Sequence, residues 1–509
     1  MSDKKRRVMV IGLDCAEPSL VFDRWRQDLP NLSRLMSTGA WGRLRSCDPP
    51  ITVPAWSSML SSRDPGQLGF YGFRNRANYS YDEMRIANAT AVTAPRVWDV
   101  LAKAGMQSVL IGVPQTYPVP EINGWLVSDF LTPPNPRQWT HPLALAGEIA
   151  SLLGGEAYEF DVKDFRTEDK QWLLDSIYAM TGRRWQVARY LAESKPWDFF
   201  MLVEMGVDRM HHGFWRYMDP NSPHYQPGHQ LENAIHDYYV YIDGQVGQLL
   251  AVAGPETAVM VVSDHGAKPM LGGFCVNEWL RQQGYLALKS EPQGQVELAR
   301  LEVDWARTRA WASGGYYARL FMNVAGREPQ GTIPPERYEA ERDRLKAEIE
   351  ALPGPDGKPM GNLALKPEDI YREVNGVPPD LIVYFGGLSW RSVGSLGHGS
   401  IYTFENDTGP DDANHAEDGI AIFHDPECPG SGEALTGLQL ECIAPTILDW
   451  LGVAIPDSMM AKPVSLSSLQ PTAEQAATNP PSHQERDEYG YTPEEEAEIS
   501  EHLASLGYL

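Results

Sequence analysis

Aspartate and histidine side chains recur beside short apolar segments in this chain of 509 residues. The residues placed in this way are Asp14, Asp208, His212, Asp264, His265 and His415. Asp208 and His212 are four residues apart, so on a helix they share one face. Carboxylate oxygen and neutral imidazole nitrogen are the mixed ligands that suit zinc, manganese or iron. Six such ligands predict two divalent metal ions per chain, with zinc favoured and manganese or iron as alternatives.

A hydroxyl group, that of Thr52, lies between two prolines in the segment DPPITVPAWSSML at 48–60. Threonine is a good N-cap and proline is tolerated in the first helical turn, so a structural role is one interpretation. The other is nucleophilic, because two neighbouring metals clamp the attacking and leaving oxygens of a phosphoryl displacement. Ser57 and Ser58 of the same segment are interpreted as structural. The joint pattern favours Thr52 as the catalytic nucleophile.

Apolar, β-branched segments alternate with amphipathic ones along the chain, a pattern typical of a parallel sheet covered on both faces. The apolar segments are 8–13, 108–113, 199–203, 258–263, 381–385 and 419–423. In such sheets the functional residues collect at the carboxyl ends of the strands. The predicted fold class is therefore α/β, with a mostly parallel central sheet flanked by helices on both faces.

Two stretches interrupt the alternation and are predicted to be insertions. Residues of about 114–165 are rich in proline and aromatic side chains, and residues 275–400 contain a charged helical segment with Gly/Pro turns. The acidic tail is expected to be a linker followed by a short helix capped by Thr492. The predicted division is a core of 7–274 and 401–465, a cap at 275–400, and a linker with a C-terminal helix at 471–509.

The composition excludes several partners. The formal net charge of −25 argues against a nucleic-acid polymer or an anionic membrane surface, but not against a small anionic substrate. Five scattered cysteines without a CxxC pair argue against a disulfide framework and against a Cys-rich zinc site. The apolar segment 8–13 is too short for a signal peptide, and nothing approaches a membrane span. We therefore expect a cytoplasmic protein.

Five segments occur in the order used by the alkaline phosphatase superfamily. They are VIGLDCAEP, PPITVPAWSSMLSSRDPGQLGFYGF, VDRMHH, VSDHGAK and NHAEDGIAIF. The chain resembles the branch of type I phosphodiesterases, nucleotide pyrophosphatases and predicted phosphohydrolase/phosphomutases. The resemblance covers about 7–113, 196–275 and 410–460. It implies an alkaline-phosphatase-like fold and hydrolysis of a phosphodiester or pyrophosphate bond in a small, nucleotide-type molecule.

The resemblance also implies a role for each candidate residue. The ligand sets are Asp14, Thr52, Asp264 and His265 for the metal that activates the nucleophile, and Asp208, His212 and His415 for the second metal. Thr52 would become a transient phosphothreonine that water hydrolyses. Two alternatives stay open, since His211 could replace His212 and His398 could replace His415.

The residues predicted to contact the substrate are supported by fewer motif positions than the metal ligands. Asn75 lies where related diesterases place a phosphate-contacting asparagine, and Lys268 comes just after the metal motif DHGA. Segment 311–321 is a candidate pocket wall that combines aromatic rings with Arg319. A dianionic monoester needs such a positive charge, whereas a diester needs room for its second ester group.

Other functions are weighed against the diesterase. A phosphomonoesterase or phosphomutase of the same superfamily is the first alternative, because large insertions suit a cap that retains substrate. A sulfatase is disfavoured, because TVPAW lacks the Cys or Ser and the Arg of its motif. A catalytically inactive metal-binding partner protein is the alternative from another class. All seven candidate positions carry competent residues, which argues against it.

Overall fold

The computed structural model describes residues 6–466 and 490–505 and contains five sheets, the largest with nine strands. In chain order the strands are β1 (Val8–Leu13), β2 (Ala40–Arg45), β3 (Arg74–Arg76), β4 (Met84–Ile86), β5 (Ser108–Ile111), β6 (Gly124–Val127), β7 (Thr140–His141), β8 (Phe199–Glu204), β9 (Ala258–Val262), β10 (Gly266–Pro269), β11 (Gly272–Cys275), β12 (Ala310–Ser313), β13 (Ala318–Met322), β14 (Leu363–Leu365), β15 (Leu381–Tyr384), β16 (Trp390–Val393), β17 (Tyr402–Thr403), β18 (Ala413–Ala416), β19 (Asp418–His424) and β20 (Glu433–Gln439).

The α-helices connect these strands. They are α1 (Pro30–Ser37), α2 (Thr52–Ser61), α3 (Pro65–Leu68), α4 (Val97–Lys103), α5 (Leu145–Leu152), α6 (Lys170–Ser194), α7 (Gly206–Met218), α8 (Ala234–Ala253), α9 (Val276–Gln282), α10 (Tyr338–Glu350), α11 (Pro367–Ile370), α12 (Ile443–Trp450) and α13 (Pro493–Ser505). Within the described ranges, no helix has the length and apolar character that crossing a membrane requires.

The central sheet has the order β20-β2-β19-β9-β1-β8-β5-β6-β7. Strands β9, β1, β8, β5 and β6 run parallel to one another. β1, β8 and β9 are buried along their whole length, which is why their sequences are continuously apolar. One group of helices (α1, α6, α7, α8) and a second group (α2, α4, α12) pack on the sheet. The predicted α/β class with a mostly parallel sheet is confirmed.

Two strands from the C-terminal part of the chain, β19 and β20, complete this sheet. β19 lies between β2 and β9 and is antiparallel to both. β2 has only β19 and β20 as neighbours, so it joins the sheet through β19. The first and last parts of the described core therefore share one sheet.

Residues 275–400 build smaller sheets around a second hydrophobic cluster. β12, β13, β15 and β14 form an antiparallel sheet, and β11 pairs with β16 and β17. The apolar segment 381–385 lies here as β15, and not in the central sheet. Tyr316 and Tyr317 from the same stretch pack against the main core, which brings this region onto the central sheet.

The Pro- and aromatic-rich stretch at 114–165, predicted to be an insertion, contributes to the central sheet. Its strands β6 and β7 extend the edge of the central sheet. β6 is only four residues long and is flanked by prolines and turns, so its apolar pattern is too short to stand out.

The C-terminal helix α13 begins after Thr492, as the sequence predicts. Thr492 Oγ1 accepts a bond from the Glu495 N–H at 3.2 Å, and the Glu495 carboxylate accepts from the Thr492 N–H at 2.9 Å. Ile499 and Leu503 are buried in the main core. Tyr117 also donates to Glu495, at 2.7 Å. The predicted linker, apart from its end at residue 490, lies outside the described residues.

Candidate metal centre

The topology of the sheet brings the candidate residues together. β1, β8 and β9 are adjacent and parallel, so their carboxyl ends meet at one edge. Asp14 follows β1, Asp264 and His265 follow β9, and Asp208 and His212 lie on α7, directly after β8. All five side chains are fully buried. The expected position of the site, at the carboxyl ends of the strands, is where these residues lie.

His415 reaches the same edge on a two-stranded ribbon. β10 leaves the site just after His265 and pairs with β18, with Ala267 opposite His415. The rings of His265 and His415 stack with centroids 3.8 Å apart and an interplanar angle of 18°. This antiparallel pairing explains how a residue so distant in sequence joins the strand-end aspartates.

A first group of ligand atoms surrounds His265 Nε2. Asp264 Oδ2 lies 3.2 Å from it, and Asp14 Oδ1 lies 3.8 Å from it. Thr52 Oγ1 is 3.4 Å from the same nitrogen. The group combines two carboxylates, one imidazole and one hydroxyl.

A second group surrounds Asp208 Oδ1. His212 Nε2 lies 3.2 Å from this oxygen and His415 Nε2 lies 3.7 Å from it. The two Nε2 atoms are 3.3 Å apart. The two groups correspond to the two ligand sets that the resemblance implies.

Each of the three histidines is oriented through its Nδ1 atom. The partners are Asp411 Oδ1 at 2.7 Å for His212, the Gly266 carbonyl at 3.1 Å for His265, and the Pro50 carbonyl at 3.0 Å for His415. Such partners fix the tautomer and leave Nε2 as the free ligand atom. Burial lowers the pKa of His265 to about 4 and that of His415 well below its ordinary value. Both rings are therefore in the neutral form that binds metals, whereas Asp411 and Asp208 outweigh burial and raise the pKa of His212 to about 9, so a metal at His212 would displace a proton.

Each of the three aspartates has one bonded oxygen and one without a donor. The donors are Trp56 Nε1 to Asp14 Oδ2 at 2.7 Å, Arg209 to Asp208 Oδ2 at 2.5 Å, and the Cys15 N–H to Asp264 Oδ1 at 3.2 Å. The other oxygens, Asp14 Oδ1, Asp208 Oδ1 and Asp264 Oδ2, are buried without a hydrogen-bond donor among the described residues. Unpartnered buried carboxylate oxygens facing imidazole nitrogens fit divalent metal ions.

The charges of the three buried aspartates also favour bound divalent metal ions. Burial, together with the charge of Asp208, raises the pKa of Asp14 well above its ordinary value. Burial, together with the charge of Asp14, does the same for the pKa of Asp264. Burial also acts to raise the pKa of Asp208, but His212 and Arg209 outweigh it and hold that pKa well below its ordinary value. A divalent cation would relieve the repulsion between these carboxylates.

The alternative histidines lie outside the two groups. His211 turns away from the site, and its Nε2 lies 3.2 Å from the Tyr239 hydroxyl. His398 bonds to Ser395 Oγ at 2.9 Å in the cap region. The geometry therefore favours His212 over His211, and His415 over the other alternative.

Thr52 is the first residue of α2, and Ile51 occupies the N-cap position. The Thr52 side chain is fully buried, and its hydroxyl faces His265. Ser57, by contrast, bonds to Gln115 within the core. The Thr52 hydroxyl thus lies at the positive end of a ten-residue helix and inside the metal cluster.

Two of the three residues predicted to contact substrate, Asn75 and Lys268, form their contacts outside the two ligand groups. Asn75 uses both ends of its amide within its own loop, with Tyr71 N–H at 2.7 Å and the Gly72 carbonyl at 2.9 Å. Lys268 forms an ion pair with Glu417 at 2.8 Å. Neither side chain joins the two ligand groups.

Arg319 lines a small cleft of about 10 Å³, room for about one water molecule, beside Thr52. The lining residues are Ile51, Phe73, Gly314, Gly315, Tyr316, Tyr317 and Arg319. Ile51 directly precedes Thr52 of the first ligand group, and the Tyr316 hydroxyl lies 3.2 Å from His212 Nδ1 of the second. The cleft therefore lies beside both ligand groups. The guanidinium of Arg319 donates to the Arg74 carbonyl. The predicted pocket wall at 311–321 contributes five of these residues.

The sequence reasoning missed the residues that support the ligands. Arg209 bonds Asp208 and also Asp161, at 2.6 Å. Asp411 accepts from His212 and from the Tyr316 hydroxyl. The one available signal was proximity in sequence, since Arg209 and Asp411 lie within four positions of a ligand and Tyr316 lies in the candidate pocket wall; no such signal marks Asp161.

Comparisons with known proteins show what this chain is similar to. The type I phosphodiesterase/nucleotide pyrophosphatase family profile matches residues 8–411. No protein of curated function matches the sequence. The structure resembles human ectonucleotide pyrophosphatase/phosphodiesterase 5, with 12% identity, a TM-score of 0.50, and coverage of 90% of this chain and 97% of that chain.

Two further solved structures are similar. One is phosphonoacetate hydrolase from Sinorhizobium meliloti in complex with phosphonoformate, with 16% identity, a TM-score of 0.55, and coverage of 88% and 96%. The other is an inactive variant of murine ectonucleotide pyrophosphatase/phosphodiesterase 5 in complex with AMP, with 11% identity, a TM-score of 0.51, and coverage of 91% and 98%. These likenesses show an alkaline-phosphatase-like fold.

The family match spans most of the chain and includes every candidate ligand except His415. It confirms the resemblance drawn from the ordered motifs, and the family is one of metal-dependent enzymes. The chain is therefore a hydrolase acting on phosphate esters, and it belongs to the type I phosphodiesterase/nucleotide pyrophosphatase family of the alkaline phosphatase superfamily.

Proposed function

We propose that this protein cleaves a phosphodiester or pyrophosphate bond in a small, nucleotide-type molecule, using two divalent metal ions and Thr52 as the nucleophile. The observation that carries the proposal is the set of three buried aspartates, each with one oxygen bonded and one directed at an imidazole. Zinc suits this nitrogen and oxygen donor set, and manganese or iron are alternatives.

The two ligand groups would hold one metal each. Asp14, Thr52, Asp264 and His265 would bind the first metal, and Asp208, His212 and His415 would bind the second. When bound, the metals supply positive charge that neutralises the phosphate oxygens and favours the ionised threonine hydroxyl.

Thr52 carries the covalent step. Its Oγ1 attacks phosphorus, an oxygen–phosphorus bond forms, and the bond to the leaving oxygen breaks. The product is a phosphothreonine that water then hydrolyses. The N-terminus of α2 favours the negative charge of the phosphoryl group throughout, because Thr52 is the first residue of the helix and the positive end of the helix dipole lies there.

The side chains beside Thr52 are of the kind that would contact a flat second group on phosphorus. Phe73, Tyr316 and Tyr317 bring aromatic rings to the small cleft, which suits stacking on a planar base, but a space of about 10 Å³ admits such a group only after the cap region opens. We further propose that residues 275–400 act as a cap over this cleft, since Gly314–Arg319 form one of its walls. Arg319 is the observation that favours the second candidate, a phosphomonoesterase or phosphomutase.

Hydrolysis of two model esters separates these functions. We expect about two metals per chain by elemental analysis, and a preference of roughly 10-fold or more for bis-p-nitrophenyl phosphate over p-nitrophenyl phosphate. Preference for the monoester would favour the phosphomonoesterase. Binding of two metals with turnover of neither ester would favour a mutase, and the absence of metal would contradict the proposal.

Removal of metal by a chelator is expected to abolish hydrolysis and lower the melting temperature by roughly 5–10 °C. The physical reason is that Asp14, Asp208 and Asp264 retain buried oxygens without donors when no cation neutralises them. Differential scanning calorimetry before and after chelation measures the shift. Adding zinc back should restore both properties, and an unchanged melting temperature would contradict the prediction.

A further inference from the structure

Cys15 is a buried residue at the metal centre with no part in the reaction proposed above. It directly follows Asp14, and its φ of 64° lies in the left-handed region that residues other than glycine rarely adopt. Its N–H donates to Asp264 Oδ1, so the strained turn fixes one carboxylate. Its thiol is completely buried and lies 3.4 Å from the Gly266 carbonyl.

The thiol lies beside the second ligand group. Cys15 Sγ, a carboxylate oxygen of Asp208 and a ring nitrogen of His212 lie within 4.8 Å of one another. Asp208 is fully buried, and its Oδ1 has no hydrogen-bond donor among the residues that the structure describes. One sulfur, one oxygen and one nitrogen at this spacing can be bridged by a single divalent ion.

We propose that Cys15 supplies a thiolate ligand to the metal held by Asp208 and His212, and that this ligand makes the second site prefer zinc to manganese. The inference rests on the proposed two-metal function. When the metal binds, the Sγ–H bond breaks, a sulfur–metal bond forms, and the proton leaves to solvent without any change in oxidation state. Thiolates favour zinc, whereas an all-oxygen or oxygen/imidazole site also accepts manganese.

Cobalt(II) in place of zinc gives a direct optical test on the full-length protein. A thiolate ligand produces an intense near-ultraviolet charge-transfer absorption, which oxygen and nitrogen ligands do not. We expect this band in the wild type and in Cys275→Ser, whose thiol is buried in the cap region. We expect Cys15→Ser to bind both cobalt ions without the band. Its preference for zinc over manganese should fall roughly 10-fold or more in a competition measured by elemental analysis.

The outcomes separate this inference from the proposed function. If the wild type binds both cobalt ions without the band, the inference about Cys15 is overturned and the two-metal site stands. If the wild type binds no cobalt, the proposed function and the inference both fail. If Cys15→Ser does not fold, zinc X-ray absorption of the wild type and of Cys275→Ser decides. A sulfur neighbour at about 2.3 Å in both supports the inference, and nitrogen and oxygen neighbours alone overturn it.

Discussion

Replacement of Thr52 by alanine is expected to lower kcat for a diester by about 10³-fold or more while both metals remain bound. The change removes the hydroxyl proposed to attack phosphorus, but it leaves the three aspartates and three histidines of the site in place. Steady-state kinetics and elemental analysis of the same preparation measure the two effects together. The residual rate should come from charge neutralisation and substrate positioning alone.

Two other variants control this experiment. Thr52→Ser keeps a hydroxyl at the helix N-terminus and should stay within roughly 10-fold of the wild type. Ser58→Ala removes a buried hydroxyl from the same helix and should leave kcat unchanged. Full activity of a folded, metal-loaded Thr52→Ala protein would rule out the phosphothreonine route.

The second large effect is expected for Asp208→Asn. This variant should bind one metal per chain, and its kcat should fall roughly 10³-fold. Added metal should not restore kcat. An amide is a poor substitute for the carboxylate that faces His212 and His415. Arg209 keeps its two bonds to Asp161, at 2.6 and 2.9 Å, so the variant should fold. Isothermal titration with zinc counts the sites.

Asp411→Asn is the matched comparison, because Asp411 bonds His212 Nδ1 and does not face the metal position. It should weaken the second metal by about 10- to 100-fold, and saturating metal should restore most of kcat. If Asp208→Asn still bound two metals with wild-type affinity, Asp208 would not be a ligand. If both variants behaved alike, the distinction between ligand and support would be wrong.

The strand-end aspartates could be predicted because parallel, buried strands are continuously apolar and their carboxyl ends meet. Asp14 and Asp264 interrupt such segments abruptly, which makes them visible in the sequence. His415 was harder, because it depends on the antiparallel pairing of β10 with β18. The order of the motifs implies that His415 belongs to the site. No local sequence pattern predicts that it lies beside His265.

Residues that support or surround the site could not be predicted, because their contacts are set by tertiary packing. Lys268 follows the metal motif in sequence, yet its ammonium group pairs with Glu417. Side chains alternate along a strand, so neighbours in β10 face opposite ways. The Asn75 side chain likewise forms its hydrogen bonds within its own loop. The pairing of β15 with β13 follows from packing within the cap region.

The position of β19 between β2 and β9 has a consequence for synthesis of the protein. At ordinary translation rates, the ribosome completes β9 roughly 10–30 s before β19 exists. During that time β2 has no partner in the sheet and one edge of β9 stays unpaired. His415 emerges only just before β19, so the proposed second metal site cannot be complete on the nascent chain until then. Loading of that site would be a late event, and unfinished chains expose a strand edge that a chaperone could protect.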